Sequence, residues 1–315
     1  MSEQNQNNSN SEPDDQTTLI DGQHFRRVPT GHGVAWLVQA YYFFKLNPKV
    51  WLGCILAMMF IMLFISLTQI LTPVIQILAP VFTAGLMYGN QQLKNNQEFN
   101  FNHLFKGFNF QFNKLALIGL IYLGCALLSY MISELIINYL GYPVVEITPE
   151  MLKAGGIDTE TMQAYIISMS LLSLFMMALM LPVFMAYWFA PALIILRKCE
   201  PIDALKRSFY ACTLNMKAFL IYGLAAMAAI IVIGLILVLL WTIIPALSML
   251  LLLFSTLALT CIFYASMFTS FDDIFLLESE QNIDSEKERN IFDNDNSDKN
   301  NASDDNNDGP TSITL

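Results

Sequence analysis

The sequence predicts an all-α integral membrane protein, and its composition and patterning together support this fold class. Of the 315 residues, 55% are hydrophobic and 13% are charged, whereas soluble domains carry roughly 25% charged residues. The hydrophobic residues are concentrated in runs long enough to cross about 30 Å of hydrocarbon, which takes about 20 helical residues. The same composition excludes a disordered chain. It also argues against a nucleic-acid-binding protein, because a net charge of -10 leaves little to neutralise phosphates.

Six segments have the length and composition of transmembrane helices. They are residues 50–71, 74–88, 115–135, 166–187, 218–240 and 246–267. The second segment is the shortest, and we expect its helix to continue through Leu93. The apolar run of the fourth continues to Leu196 but is interrupted by Pro182 and Pro191, so we interpret it as one span followed by an exit segment.

The distribution of lysine and arginine predicts the orientation, because these residues are retained on the cytoplasmic side. With six spans, fifteen of the sixteen basic residues lie on one side and only Lys153 lies on the other. Five or seven spans would scatter them over both sides. We therefore predict that both termini are cytoplasmic.

The acidity of the chain belongs to its C-terminal tail. Residues 272–315 contain thirteen acidic and three basic residues, so the rest of the chain is neutral overall. This tail has almost no apolar residues after Phe292 and cannot bury enough surface to offset its ordering entropy. We predict a disordered N-terminal tail at 1–24, a six-span membrane domain at 25–277 and a disordered acidic tail at 278–315.

An internal repeat divides the membrane domain into three hairpins of two spans each, at about 33–95, 100–198 and 200–275. Each hairpin follows an aromatic-rich segment that ends in Asn and Lys. These segments end at Lys49, Lys114 and Lys217. A second marker, Phe-x-Ala-x-x-Met or Phe, starts at Phe82, Phe184 and Phe263. Because every unit has two spans, all copies enter from the same side, unlike the inverted repeats of many ion-coupled transporters.

The segments before the hairpins are predicted to be helices lying in the cytoplasmic membrane surface. In the second, the apolar positions have helical spacing and are Phe101, Leu104, Phe105, Phe108 and Phe112. In the third, the apolar face is Ile202, Leu205 and Phe209. One interpretation is contact with anionic lipid headgroups or a partner helix. The candidate lipid contacts are Trp36, Lys49, Lys106, Lys206 and Arg207. The other interpretation, which the pattern favours, is a collar that packs the bundle.

The span centres contain no acidic, basic or histidine residue, which argues against coupled transport because ion sites rely on such residues. Pro80 and Pro182 occupy corresponding positions in two repeats, and paired helix breaks can mark a binding cavity. Proline is also ordinary in membrane helices when neighbours satisfy the backbone. Glu134 lies near the outer interface as a third candidate cavity residue, although a solvated helix end is the simpler interpretation.

Signatures of enzymes, metals and cofactors are not found in the sequence. It contains no GxSxG, no HExxH, no glycine-rich phosphate loop and no CxxC. The histidines at 24, 32 and 103 are isolated from one another, so no metal site is expected. Asp272 and Asp273 are interpreted as solvated acids at a helix end. The segment 31–33 is interpreted as a flexible hinge.

The chain also resembles an uncharacterised family of proteobacterial multi-pass inner-membrane proteins. The resemblance extends over roughly 25–275 and rests on ordered motifs. They include Arg27-Val28-Pro29, Asn47-Pro48-Lys49-Val50-Trp51, His103-Leu104-Phe105-Lys106-Gly107-Phe108 and Ala204-Leu205-Lys206-Arg207-Ser208-Phe209. It implies a location in the bacterial cytoplasmic membrane and assigns no activity to any residue.

Together these patterns predict a non-enzymatic scaffold, assembly or lipid-interacting protein. Its expected partners are the lipid bilayer, including anionic lipids, and a membrane protein, with no nucleic acid, metal or cofactor. The alternative that the sequence leaves open is a transporter or facilitator of a small solute.

Overall fold

The computed structural model describes residues 17–20, 23–68, 71–142, 144 and 159–275. Most of the predicted tail at 1–24, all of the tail at 278–315 and the loop with Lys153 lie outside these residues. The chain divides into units Met1–Ile274 and Phe275–Leu315, and the following description concerns the first. Its described part is predominantly helical, which confirms the all-α class.

Two short strands precede the helices and form a hairpin in which Thr17 pairs with Arg26 and Ile20 with Gln23. The strands are β1 (Thr17–Ile20) and β2 (Gln23–Arg26). The first three helices are α1 (His32–Leu46), α2 (Pro48–Ser66) and α3 (Thr72–Lys94). A 3-10 helix (Phe101–Phe105), α4 (Lys106–Asn109), α5 (Phe112–Tyr139) and α6 (Thr159–Trp188) follow. The remaining helices are α7 (Ala190–Arg197), α8 (Pro201–Leu214), α9 (Met216–Ile243) and α10 (Pro245–Ile274).

Five helices in the described residues are long and apolar enough to cross a membrane. They are α2, α5, α6 with its continuation α7, α9 and α10. Four of them contain a complete predicted span and α2 contains most of the segment 50–71, so a membrane-compatible body is confirmed. In chain order, a short helical segment precedes two long helices three times. The predicted repeat requires this order, and the repeat itself stays a prediction.

The second predicted span, 74–88, lies in α3, which is less apolar than the other long helices and is not among these five. The helix does continue past Leu93, to Lys94. It contacts α2, α5, α7 and α10, so its C-terminal half is enclosed by protein. Polar side chains are tolerated there because they bond to carbonyls of the same helix, with Thr83 donating to Ala79 at 2.8 Å and Asn90 to Leu86 at 3.1 Å.

The break between α6 and α7 lies at Phe189, two residues before Pro191. Pro182, which the sequence predicts as a second interruption, lies inside α6 without ending it. The freed N–H of Phe189 donates to Ser208 Oγ at 2.9 Å, and this hydroxyl donates to the carbonyl of Met185 at 2.7 Å. Ser208 is fully buried. The break is therefore stabilised by α8, which packs across it.

The short helices gather where α2, α5 and α9 begin and where α3, α6 and α10 end. We call this the short-helix end. The largest fully buried side chains lie here, on α1, α2, α3 and α10, and include Trp36, Trp51, Phe82, Leu86 and Phe268. In the most apolar stretch of α9, in contrast, no residue is buried and most are exposed. A core at one end and exposed apolar helices beyond it are compatible with a membrane protein.

Two of the predicted surface helices differ from their expected form. Residues 101–112 do not form one helix, because the 3-10 helix and α4 end before Gln111, which has a left-handed φ of 61°. In α8, the predicted apolar residue Ile202 is 52% exposed. The buried face is instead made of small residues, namely Ala204, Ser208, Ala211 and Cys212. Small side chains form this buried face because α8 packs closely on α6 and α7.

Glycine permits the closest helix approaches at the short-helix end. A Cβ at Gly85 in α3 would collide with the carbonyl oxygen of Leu104, and a Cβ at Gly107 would collide with that of Val81. Gly33 in the first turn of α1 lies in the same way against the backbone of Ala218. The hinge interpretation of residues 31–33 is therefore wrong for Gly33, because this residue is locked in a backbone contact.

Candidate functional site

A polar network at the short-helix end connects the N-terminal segment to the end of α10. The carboxylate of Asp273 accepts three hydrogen bonds: from Arg26 Nη2 at 2.8 Å, from His32 Nδ1 at 2.8 Å and from Trp36 Nε1 at 2.7 Å. Arg26 Nε also donates to the Asp273 carbonyl at 2.8 Å. Because a carboxylate can only accept, the proton of the His32 imidazole lies on Nδ1.

This network corrects the interpretation of Asp272 and Asp273 as solvated acids. The side chain of Asp273 is only 14% exposed, and its charge is matched by donors that are more than 230 residues away in sequence. Asp272 forms an ion pair of 2.8 Å with Lys94 at the end of α3. Both acids therefore stabilise tertiary contacts.

Asn215, which lies between α8 and α9, holds the segment after β2 in place. Its Oδ1 accepts from the N–H of Val28 at 2.8 Å, and its Nδ2 donates to the carbonyls of Arg26 at 3.1 Å and Ala211 at 3.0 Å. Asn215 is buried. An amide both donates and accepts, so this one side chain can satisfy an extended segment that has no strand partner at this point.

A cavity of about 450 Å³ opens between this segment and the start of α9, and we call it the basic cavity. Its basic lining residues are Arg26, Arg27, His32 and Lys217, and none of its described lining residues is acidic. Arg26 and His32 are fixed by Asp273. Arg27 and Lys217 are exposed, and neither side chain bonds to another residue in the described part of the chain. Two exposed cations, Arg27 and Lys217, therefore lie beside Arg26 and His32, whose positions are set by Asp273.

The chemistry of this arrangement suits an anion. A guanidinium offers paired donors that match phosphate and carboxylate oxygens, and a lysine ammonium adds a point charge. The volume falls within the range of about 300–1,000 Å³ that is usual for small-ligand sites.

A second cavity of about 320 Å³ lies between α6, α8 and α9, and we call it the apolar groove. It is lined by Leu181, Phe184, Met185, Trp188, Cys212, Met216, Phe219 and Leu220. None of these described lining residues is charged. Residues on its rim, including Leu181 and Leu220, are exposed, so the groove opens on the outer surface of the helices.

The predicted lipid-contact residues are not all placed where lipid could reach them. Trp36 is fully buried, with its ring 5.1 Å from that of Phe219, so the prediction of a lipid contact is wrong for Trp36. Its role is structural because its indole N–H donates a hydrogen bond to the Asp273 carboxylate. Lys49 and Lys206 are exposed, as an interfacial contact requires.

Lys106 and Arg207 are half-buried and already have neighbours. The ammonium of Lys106 lies 5.7 Å from the ring centre of Tyr88, in a cation–π arrangement. Arg207 Nη1 lies 4.0 Å from Cys199 Sγ. Burial, with a smaller effect of the Lys106 charge, lowers the pKa of His103. Its neutral Nδ1 accepts from the N–H of Asn100 at 3.3 Å, which fixes the start of the 3-10 helix.

The three candidate cavity residues are not brought together. Pro182 lines a cavity of about 230 Å³ with Tyr122 and Tyr187. Pro80 is buried inside α3, and Glu134 is half-buried in α5. Neither Pro80 nor Glu134 lines the cavity at Pro182.

Sequence reasoning missed the residues that build the basic cavity. Arg27-Val28-Pro29 belongs to a motif, and Asn215 lies in the Asn- and Lys-ending segment before the third hairpin, but nothing local indicates that they meet. One local signal is the Asp-Gly dipeptide at 21–22, which is typical of two-residue hairpin loops and indicates the hairpin of β1 and β2 just before Arg27.

The fold and the site thus define an all-α protein with a membrane-compatible helical body, a partly buried ionic network and a basic cavity. Comparison of the chain with known protein families, with characterised proteins and with solved structures finds no match to any of them.

Proposed function

We propose that this chain is a non-enzymatic, lipid-interacting protein of the bacterial cytoplasmic membrane that contacts anionic lipids with its short-helix end. The observation that carries the proposal is the basic cavity, whose cations Arg27 and Lys217 have no partner in the described residues. Basic groups beside an apolar helical body are a pattern that attracts anionic headgroups, at about 1 kcal/mol for each residue near the surface.

This proposal predicts that purified protein retains anionic lipids selectively. After extraction from bacterial membranes in mild detergent, the ratio of anionic to zwitterionic lipid that co-purifies is expected to exceed the ratio in the bulk membrane. Lipid extraction followed by mass spectrometry measures both ratios. Equal ratios would remove the basis for a lipid-interacting function.

We further propose a six-span arrangement of three hairpins, in which α3 spans the membrane in addition to the five long apolar helices and the short-helix end faces the cytoplasm. The distribution of basic residues supports this orientation. A reporter fused after residue 155 is then expected outside the cytoplasm, whereas one fused after residue 95 is expected inside. Paired reporters that are active in opposite compartments measure this. A cytoplasmic signal at 155 would contradict the arrangement.

The alternative is a facilitator of a small apolar solute, and the cavity at Pro182 favours it. That cavity is lined largely by apolar side chains from α5, α6 and α8. The alternative requires solute flux into proteoliposomes that changes in Pro182→Ala, whereas a lipid-interacting function requires no flux.

A further inference from the structure

We infer that the basic cavity and the apolar groove form one binding site for a single anionic phospholipid, with its phosphate in the cavity and an acyl chain in the groove. This inference rests on the proposed function and names its ligand and its site. Three features of the described residues lead to it: the free cations, the apolar lining and the shared helix turn.

The cavity offers a prepared site for a phosphate. Arg26 and His32 are tied to Asp273 by bonds of 2.8 Å, so one side of the cavity is rigid before any ligand arrives. Arg27 and Lys217 can turn towards an anion without breaking a bond to another described residue. Charge-assisted bonds to phosphate oxygens would then replace contacts with water.

The groove offers a site for a hydrocarbon chain. Its lining is apolar on all three helices that form it, and it contains two large rings, Trp188 and Phe219, 5.7 Å apart. A water-soluble phosphate compound has no group that would occupy this surface. An acyl chain would cover this apolar surface and would gain dispersion contacts with the two rings.

Both cavities are lined by residues of the first turn of α9, where Lys217 of the cavity and Leu220 of the groove are neighbours at i and i+3. Met216, Phe219 and Leu220 line the groove, whereas Lys217 and Ala218 line the cavity. Five consecutive residues of a helix cover about 6 Å along its axis. A ligand that fills both cavities must therefore be polar and anionic at one end and apolar directly beside it, which is the chemistry of a phospholipid.

The test compares variants of the full chain in detergent. Delipidated protein is titrated with short-chain phosphatidylglycerol, with phosphatidylcholine of the same chain length and with glycerol phosphate. The cavity variant is Arg27→Gln with Lys217→Gln, and the groove variant is Leu220→Trp, which fills the groove while keeping it apolar. The matched control is Lys45→Gln with Lys198→Gln, which removes two exposed charges outside both cavities.

We expect the Kd for phosphatidylglycerol to rise by about tenfold or more in the cavity variant, since one lost charge-assisted bond corresponds to about that factor. We expect a rise of similar size in the groove variant, because the tryptophan side chain occupies the space of the acyl chain. The control should bind as the unchanged protein does. Because Arg27, Lys217 and Leu220 are exposed, we expect unchanged melting temperatures, which separates lost binding from lost folding.

Three results would overturn the inference. If anionic lipid is enriched on the purified protein but both variants bind it normally, the site is elsewhere while the proposed function stands. If glycerol phosphate binds as tightly as phosphatidylglycerol and Leu220→Trp has no effect, the cavity takes a soluble phosphate. If the unchanged protein does not discriminate between the two phospholipids and shows no enrichment, the proposed function fails together with the inference.

Discussion

Replacement of Asp273 by alanine is expected to lower the free energy of unfolding by about 2 kcal/mol, which is less than the cost of about 3–5 kcal/mol for breaking a fully buried ion pair because this network is only partly buried. The substitution leaves the guanidinium of Arg26, the imidazole of His32 and the indole of Trp36 without their shared acceptor. The bond from Arg26 Nε to the backbone carbonyl of residue 273 remains, so the N-terminal segment keeps one contact with the end of α10. A thermal melt in detergent, read as loss of the folded monomer, measures the effect.

The matched control is Glu200→Gln, because Glu200 also forms a short ion pair, of 2.7 Å with Lys114, but is 67% exposed. Exposed pairs contribute about 0–1 kcal/mol, so this variant should melt close to the unchanged protein. The Asp273→Ala effect should also be non-additive with Arg26→Ala, since both act through one network. Equal melting temperatures for Asp273→Ala and Glu200→Gln would mean that the network does not stabilise the fold.

Gly85→Ala is expected to destabilise the protein by about 3 kcal/mol, at the upper end of the usual cost of overpacking. A methyl group at residue 85 meets the backbone of His103 and Leu104. Backbone atoms cannot turn away as a side chain can, so the 3-10 helix would have to move off α3. The buried cluster that includes Phe82, Leu86 and Leu104 would be opened at the same time.

Gly124→Ala is the control for this prediction. Gly124 lies in α5, and a Cβ there meets nothing within 4 Å. Alanine is favoured over glycine inside a helix by about 1 kcal/mol, so the control should be neutral or slightly stabilising. The two identical substitutions should therefore shift the melting temperature in different ways. If the melting temperature fell equally in both variants, the destabilisation would be a general effect of replacing glycine by alanine and not the result of the contact with the 3-10 helix.

The long helices were largely predictable from the sequence. The predicted segment 115–135 corresponds to α5 (Phe112–Tyr139), and 218–240 corresponds to α9 (Met216–Ile243). The helices extend past the apolar runs because backbone hydrogen bonding continues after hydrophobicity ends. Prolines at 48, 201 and 245 mark helix starts, since proline is suited to the first turn.

The short-helix end was less predictable, because packing there overrides periodicity. The spacing of Phe101 to Phe112 is helical, yet the close approach of Gly107 to Val81 and the left-handed Gln111 divide that segment. In α8 the buried residues are small ones that periodicity of large apolar residues does not reveal. Which side of a short helix is buried depends on its neighbours, and these are remote in sequence.

The candidate site shows the same division. A local view of Asp273 finds an acid beside another acid near an acidic tail, and solvation is the natural expectation. The fold instead brings Arg26, His32 and Trp36 to it. None of these four residues carries a local signal of the others, since hydrogen bonding between them depends on the packing of α1 against α10.

The sequence by itself determined the fold class and the positions of most long helices, because hydrophobic transfer and the missing N–H of proline act over a few neighbouring residues. Only the tertiary structure decided which polar groups are buried and paired, and which cations remain available in the basic cavity. The physical reason is range. Hydrogen bonds and ion pairs need donor and acceptor within about 3 Å, and residues that are more than 180 positions apart in the chain, such as Val28 and Asn215, reach that distance only after the helices have packed.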